Sequence, residues 1–138
     1  MLNLTRDQVD ALVAHAREAA PSECCGLIGG DDSERAQTIY RLCNVDLNPE
    51  FAYEAAPEEL FAAQRKMRER GEKLVSIYHA HPRAITPSPS QTDVRLAYYP
   101  NTTYLIIGLA GDHAKIGAFK ISEREQSWHE VEYAIVDG

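Results

Sequence analysis

Residues 74–81 read Leu-Val-Ser-Ile-Tyr-His-Ala-His, an apolar run that ends in two histidines and is followed by Pro82. This composition predicts a buried strand, which places residues i and i+2 on one face, roughly 6.6 Å apart. The imidazoles of His79 and His81 can therefore reach the same ion. Taken singly, each is more often an ordinary strand-end histidine, but two imidazoles at this spacing suit zinc.

A carboxylate follows the histidines twelve residues on, at Asp93. A catalytic zinc takes about three protein ligands and leaves a fourth position to water, so Asp93 is the candidate third ligand. Pro87 and Pro89 preclude a regular strand after His81, whereas Ser90 followed by Asp93 predicts the start of a helix. On its own this pair is more often a capping pair. Combined with the two histidines, it predicts a metal site.

Glu23 stands at the entry to a second apolar run, residues 24–30, which read Cys-Cys-Gly-Leu-Ile-Gly-Gly. That run predicts a buried strand ending in a turn. A carboxylate at its start is either solvated at the strand tip or used in chemistry. In the second case it would accept a proton from attacking water and pass it to a leaving amine. The spacing alone leaves both interpretations open.

These residues resemble the JAMM (MPN+) metallopeptidases, specifically the short prokaryotic kind. The family pattern is a glutamate, then His-x-His-Pro, then Ser-x-x-Asp, which here falls on Glu23, residues 79–82 and residues 90–93. The sequence around both motifs is also similar to the family, so the resemblance covers nearly the whole chain and implies one JAMM/MPN+ domain over residues 1–138. Eight residues, 82–89, separate His81 from Ser90, where the common family pattern has seven.

The resemblance assigns a role to each motif residue. It implies that His79, His81 and Asp93 bind one zinc ion per chain. It further implies that Glu23 holds the nucleophilic water and that Ser90 stabilises the tetrahedral oxyanion. Loss of a hydroxyl donor aimed at an oxyanion costs ~3 kcal/mol of barrier. Ser90 can also cap a helix, and the sequence does not separate these two roles.

The implied activity is hydrolysis of an amide or isopeptide bond after the C-terminal Gly-Gly of a ubiquitin-like protein. In bacteria such tails belong to sulfur-carrier proteins related to ThiS and MoaD, and some family members release cysteine from the carrier. We expect such a carrier as substrate, its tail pairing with a sheet edge formed partly by residues 51–54. A non-catalytic MPN scaffold and a metal-dependent hydrolase of small amides remain alternatives, and the oligomeric state stays open. The complete set of motif residues argues against the scaffold.

The order of helices and strands predicts an α/β fold, with a mixed sheet flanked by helices. The resemblance sharpens this to the MPN (JAB1/MPN) fold, which is similar to that of cytidine deaminases. The deaminase motif, His-x-Glu with a later Pro-Cys-x-x-Cys, is absent, which argues against nucleobase chemistry. We predict helices over 5–19, 57–70 and 90–98, a strand after Gly71 that carries His79, and other strands over 24–28, 36–43, 51–54, 103–109, 115–121 and 127–135.

Composition and charge argue against several classes of protein. The 138 residues carry a net charge of -7, from 14 basic and 21 acidic residues, which argues against binding to nucleic acid or to an anionic membrane. No secretory signal pattern and no apolar run of ~20 residues is present, so we expect a cytoplasmic protein.

We expect the cysteines, and the histidines outside the motif, to have no catalytic role. Three cysteines do not make a disulfide framework, and we predict Cys24, Cys25 and Cys43 to be small buried apolar residues. We predict three histidines outside the motif to be surface residues, namely His15, His113 and His129.

Overall fold

The structure is a computed structural model that describes residues 1–137. Its elements in chain order are β1 (Leu2–Thr5), α1 (Arg6–Ala19), β2 (Cys25–Gly30), β3 (Ala36–Leu42), α2 (Pro57–Glu69), β4 (Lys73–His81), α3 (Gln91–Arg95), β5 (Thr103–Gly108), β6 (Lys115–Ser122), β7 (Ser127–Val131) and β8 (Tyr133–Val136). Within these residues, no helix has the length and apolar content needed to cross a bilayer.

Strand β4 lies inside a six-stranded mixed sheet of order β3-β2-β4-β5-β6-β7. It pairs antiparallel with β2 and parallel with β5, and every other neighbouring pair is antiparallel. His79 lies opposite Cys25 on one side and Ile106 on the other. Its backbone is therefore fixed by strands on both sides, which makes this position one of the most constrained in the sheet. The α/β fold with a mixed sheet and flanking helices is confirmed.

Two apolar layers cover the two faces of the sheet. Tyr78 and Ala80 point from β4 into the layer that contains Leu12 and Ala16 of α1. Ile77 points into the opposite layer, together with residues of α2 and α3. Because side chains alternate along a strand, His79 and His81 share the face of Ile77 and point towards α3.

The α1 side of the sheet is held by a close contact around Tyr78. A Cβ atom on Gly26 would lie 2.4 Å from the Tyr78 ring, so β2 approaches the ring only because glycine stands there. His15 of α1 places its Nδ1 2.7 Å from the Tyr78 hydroxyl. The prediction that His15 is a surface residue is wrong, because α1 packs this face of the imidazole against the sheet. His113 and His129 are exposed, as predicted.

The two ends of the chain form a structure that the sequence did not predict. Strand β1 pairs in parallel with β8 in a separate two-stranded sheet, joining Leu2 to Tyr133 and Leu4 to Ile135. The predicted single strand over 127–135 is therefore wrong at Glu132, where the chain leaves β7 and enters β8. Buried Leu2 and Leu4 draw β1 onto the α1 layer, and β8 follows it.

Three further expectations are corrected. Residues 51–54 form no strand, because the Asn44 side chain accepts a hydrogen bond from the Glu54 N–H and donates one to the Ala52 carbonyl. Helix α3 ends at Arg95 rather than near residue 98, since the backbone then tightens into turns. Cys43 is exposed because it follows the end of β3 at Leu42, whereas Cys24 and Cys25 are buried as predicted.

Candidate metal centre

His79 and His81 lie at the carboxyl end of β4, where the strand leaves the buried core. The His79 side chain is fully buried, and the His81 side chain is 17 % exposed. The two Nε2 atoms lie 3.1 Å apart. The strand thus brings both imidazoles to one point at its end, with His81 on the solvent side of His79.

The loop over residues 82–89 delivers a carboxylate to the same point. The loop turns at once, with the Ala84 N–H bonded to the His81 carbonyl at 2.9 Å. Its first part is tied to the segment that follows β5, since the Ala84 carbonyl accepts from the Ala110 N–H at 3.0 Å. The chain then re-enters the site at α3, and the eight-residue spacing still places Asp93 beside the histidines.

Three donor atoms form a nearly equilateral triangle. The Asp93 Oδ2 atom lies 3.1 Å from Nε2 of His79 and 3.1 Å from Nε2 of His81, and the histidine nitrogens are separated by the same distance. In a tetrahedral zinc site with ligand distances of ~2.0–2.1 Å, the edge between two ligands is ~3.3 Å. Two imidazoles and one carboxylate are also a common donor set of catalytic zinc. The residues therefore fit a metal ion by geometry and by chemistry.

Helix α3 is held in place by a capping box that includes the same carboxylate. The Ser90 Oγ accepts a hydrogen bond from the Asp93 N–H at 3.0 Å, and the Ser90 N–H donates to Asp93 Oδ2 at 2.9 Å. The cap uses a lone pair of the Ser90 oxygen and leaves its O–H hydrogen free to donate. Capping the helix and donating to an oxyanion are therefore compatible roles for one hydroxyl.

Glu23 completes the cluster from the segment that leads into β2. A carboxylate oxygen of Glu23 and a ring nitrogen of each of His79 and His81 lie within 4.8 Å of one another. Glu23 is only 5 % exposed. Its Oε1 atom and the Nδ1 atom of His79 are buried and have no hydrogen-bond partner among the described residues. Since buried polar atoms are nearly always satisfied, the Glu23 oxygen indicates that the cluster is built for an additional partner. The Nδ1 atom of His79 points away from the Nε2 side of the ring, so it does not bear on that partner.

Burial raises the pKa of the Glu23 carboxyl to about 7. The nearby His81 opposes this shift, whereas the carboxylates of Asp93 and Asp46 add to it. A carboxyl group with a pKa near neutrality can both take up and release a proton, which is the property required of a general base that later acts as an acid.

The hydrogen bond between His81 and Asp93 shifts the pKa of both side chains. Burial lowers the pKa of His81, but the hydrogen bond to Asp93 and the charges of Asp93 and Glu23 outweigh it, so the pKa is raised. For Asp93, burial opposes ionisation but is outweighed by the charge of His79 and by hydrogen bonds from both histidines and from Ser90. Its pKa is held well below the usual range. The carboxylate therefore stays ionised and available to a cation.

The backbone of Glu23 is positioned by Asn44, a residue that the sequence analysis missed. The Asn44 amide nitrogen donates to the carbonyls of Glu23 at 2.9 Å and Ala52 at 3.0 Å, while its oxygen accepts from the N–H groups of Asp46 and Glu54 at 3.0 and 3.1 Å. One side chain thus ties the loop over residues 44–56 to the strand entry. A polar residue in an irregular segment gave no signal of this role in the sequence.

Tyr53 of the same loop covers the inner histidine. Its ring stacks on the imidazole of His79, with centroids 4.5 Å apart and an interplanar angle of 27°. This contact fixes the orientation of the imidazole, so that Nε2 points towards Asp93. The loop therefore shapes the site rather than offering an open strand edge.

With this geometry in hand, residues 5–128 match the family described as prokaryotic homologues of the JAB domain. The chain belongs to this prokaryotic JAB-domain family. It is 38% identical over 110 residues to the desampylase of Haloferax volcanii, covering 76% of this chain and 78% of that protein. It is 34% identical over 140 residues to the CysO-cysteine peptidase of Mycobacterium tuberculosis, covering 100% of this chain and 85% of that protein.

Solved structures give the same assignment. A Desulfitobacterium hafniense protein, known from its solution structure, superposes with a TM-score of 0.86 at 34% identity, over 100% of this chain and 94% of that one. A JAB1/MPN domain protein from Archaeoglobus fulgidus superposes with a TM-score of 0.66 at 17% identity, over 99% and 98% of the two chains, and supports the fold alone. The predicted JAMM/MPN family is confirmed. This JAB-domain protein is a hydrolase acting on peptide or isopeptide bonds.

We predict that Asn44→Ala lowers the free energy of unfolding by about 2–3 kcal/mol, because several backbone groups, most of them part-buried, lose their partner. Urea unfolding of the variant beside the parent measures this. Asn48→Ala, which removes an exposed amide from the same loop, is the matched control and should be near neutral. Equal stability of the Asn44 variant and the control would show that Asn44 does not organise the loop.

We also predict a pH dependence of the metal-free protein. Because the folded-state pKa of Glu23 is raised from 4.5 to about 7, the folded state retains a proton that the unfolded chain releases. The free energy of unfolding should therefore fall as pH rises from 4.5 to 7. The raised pKa of His81 acts in the same direction, and its contribution is lost as pH rises through its folded-state value.

Urea unfolding at a series of pH values, with a chelator present, tests this prediction. The slope should be smaller for Glu23→Gln, which cannot titrate, and His81 contributes to the slope that remains. Parallel pH profiles for the parent and the variant would contradict the assignment.

Proposed function

We propose that this protein is a zinc-dependent peptidase that hydrolyses the amide bond after the C-terminal Gly-Gly of a ubiquitin-like protein of the ThiS/MoaD sulfur-carrier type. The observation that carries the proposal is the triangle of donor atoms from His79, His81 and Asp93, with 3.1 Å sides. The desampylase and the CysO-cysteine peptidase support the substrate class.

We assign the zinc ligands to His79, His81 and Asp93. When bound there, zinc polarises a carbonyl group and lowers the pKa of water towards ~7. The buried, ionised Asp93 supplies the negative charge that favours a divalent cation over water, and β4 holds the imidazoles without further rearrangement. Such preorganisation is what a catalytic metal site needs.

We assign the proton transfers to Glu23. Its carboxylate takes a proton from the attacking water as the water oxygen bonds to the scissile carbonyl carbon. When the C–N bond breaks, the same carboxyl group gives that proton to the leaving amine. A pKa of about 7 suits both steps, since the group is neither too weak a base nor too weak an acid at neutral pH.

We assign the oxyanion contact to Ser90. Its O–H hydrogen is not used by the helix cap, and its side chain lines the same cavity as Glu23 and His81. A donor fixed by a helix N-terminus costs little reorganisation as charge develops on the carbonyl oxygen. The capping box thus positions the proposed metal ligand Asp93 and the hydroxyl donor Ser90 within one helical turn.

An apolar cavity on the Asp93 side offers a place for the substrate tail. It has a volume of about 330 Å³, and its wall includes Tyr53, Leu96, Tyr98 and Tyr99. Leu96 is 51% exposed and Tyr98 is 66% exposed, although both are large apolar side chains. A Gly-Gly tail has little side-chain bulk and no charge, so an apolar channel beside the donor triangle suits it.

The proposal is tested with a ubiquitin-like carrier that ends in Gly-Gly and carries one added C-terminal cysteine. We expect the zinc-loaded parent to release the cysteine, and Glu23→Gln to lower kcat by about 100-fold or more, because general acid–base catalysis contributes ~10²–10⁴-fold. Mass spectrometry of the carrier measures the cleavage. Glu58→Gln, an exposed glutamate of α2, is the matched control and should match the parent.

Two results would contradict this function. Absence of cleavage by the zinc-loaded parent would favour the non-catalytic scaffold. Hydrolysis of small amides with the carrier left intact would favour a metal-dependent amidase without a protein partner. Equal activity of Glu23→Gln and the parent would remove Glu23 from the mechanism while leaving the rest of the proposal in place.

A further inference from the structure

A second cavity borders the candidate centre, and the positively charged side chain of Arg83 is part of its lining. Its volume is about 330 Å³, and its lining includes Glu23, His81 and Ser90 on the inner side and Glu50, Phe51 and Arg83 on the outer side. Arg83 follows the His-x-His-Pro segment directly, so its backbone is anchored one residue beyond the motif. The cavity therefore joins the proposed reacting groups to a guanidinium.

Two contacts fix the position of the Arg83 guanidinium. One terminal nitrogen, Nη2, donates to the Glu50 Oε1 at 3.0 Å. The guanidinium carbon lies 4.5 Å from the centre of the Phe51 ring, within range of a cation–π interaction. A stacked guanidinium loses less freedom when it binds a planar anion than a mobile lysine would.

The guanidinium retains unused hydrogen-bonding capacity. Arginine has five N–H donors, and Glu50 is the hydrogen-bond partner of the Arg83 side chain within residues 1–137. The Arg83 side chain is 62% exposed, so a ligand can reach it from the cavity. A carboxylate is the group that fits such a fork, because two parallel N–H···O bonds can form.

We propose that Arg83 binds the free α-carboxylate of the amino acid that leaves from the carrier, and so selects carriers that end in one added residue. This inference rests on the proposed function and names its substrate class. An isopeptide-linked lysine within a protein chain has no free carboxylate beside the scissile bond. The Arg83 contact would therefore distinguish a carrier–amino acid adduct from a carrier–protein conjugate.

Charge favours this placement of the leaving group. Glu23 and Glu50 also line the cavity, and the chain carries a net charge of -7, so a carboxylate entering without a cation would be repelled. The uncharged tail suits the apolar cavity beside Tyr53 instead. The acyl side and the amine side of the scissile bond are thus assigned to two different cavities beside the candidate centre, one that includes Asp93 in its lining and one that includes Glu23 and His81.

Glu50 influences how strongly Arg83 can bind the substrate carboxylate. It competes with the substrate carboxylate for Arg83, although it occupies only one N–H group in this structure. Its removal should therefore increase the preference for a free carboxylate. Arg83 takes no part in the bond changes of hydrolysis, since it only holds the leaving residue while the C–N bond breaks.

Two semisynthetic carriers that end in Gly-Gly-cysteine and in Gly-Gly-cysteinamide test this inference. They differ only in the terminal carboxylate. We expect the zinc-loaded parent to prefer the acid by about fivefold to tenfold in kcat/KM, mainly through KM, since a charged contact at a part-exposed site contributes roughly 1 kcal/mol. Arg83→Ala should abolish the preference by weakening only the acid, Arg83→Lys should retain part of it, and Glu50→Gln should enlarge it.

The matched control is Arg41→Ala. Arg41 is likewise an exposed arginine with one carboxylate partner, Glu18 at 2.6 Å, but it does not line this cavity. It should keep the parent preference. A binding measurement in the Glu23→Gln background, by calorimetry, separates affinity from turnover and should show the same preference for the acid.

The possible outcomes separate the two proposals. Equal cleavage of acid and amide by the parent, or an unchanged preference in Arg83→Ala, would overturn the role of Arg83 and leave the proposed function standing. Faster cleavage of a lysine isopeptide than of the acid would also overturn it. Failure of the parent to cleave either carrier would overturn the proposed function and this inference with it.

Discussion

The capping box between Ser90 and Asp93 is the contact on which the site depends. It fixes the first turn of α3 and directs Asp93 Oδ2 towards both histidines with a single pair of hydrogen bonds. The backbone of His79 is already fixed by strands on both sides, and that of His81 is paired with Gly108 of β5. Site geometry therefore depends on whether the loop from His81 places Ser90 correctly, and the hydrogen bond between Ala84 and Ala110 anchors that loop to the segment that follows β5.

Electrostatics explain why such a site is built for a cation. Two carboxyl groups and two imidazoles converge at the end of β4, and buried polar groups are costly unless they are paired. The buried Glu23 oxygen without a protein partner shows that the described residues alone do not satisfy the cluster. The same burial that makes the cluster costly gives Glu23 a pKa near neutrality. The cost in stability and the capacity for proton transfer thus arise from one arrangement.

The sequence predicted the features that depend on local spacing. Strand β4 and the Ser90–Asp93 cap follow from alternation and capping preferences, so the donor triangle was foreseeable. The β1–β8 pairing was not, because strands of four residues give little periodic signal and pair across nearly the whole chain. Asn44 and Tyr53 were also missed as site residues. Their contacts depend on the tertiary path of a loop that regular patterns do not describe.

The most direct test of the account is the zinc content of protein purified without chelator, beside Asp93→Ala and Glu23→Gln. The donor triangle and the overlapping cluster that includes Glu23 predict different ligand sets. We expect about one zinc per chain in the parent and in Glu23→Gln, and none in Asp93→Ala, since zinc takes about three protein ligands in a catalytic site. Zinc retained by Asp93→Ala but lost from Glu23→Gln, or a parent that takes up no zinc at neutral pH, would contradict the account.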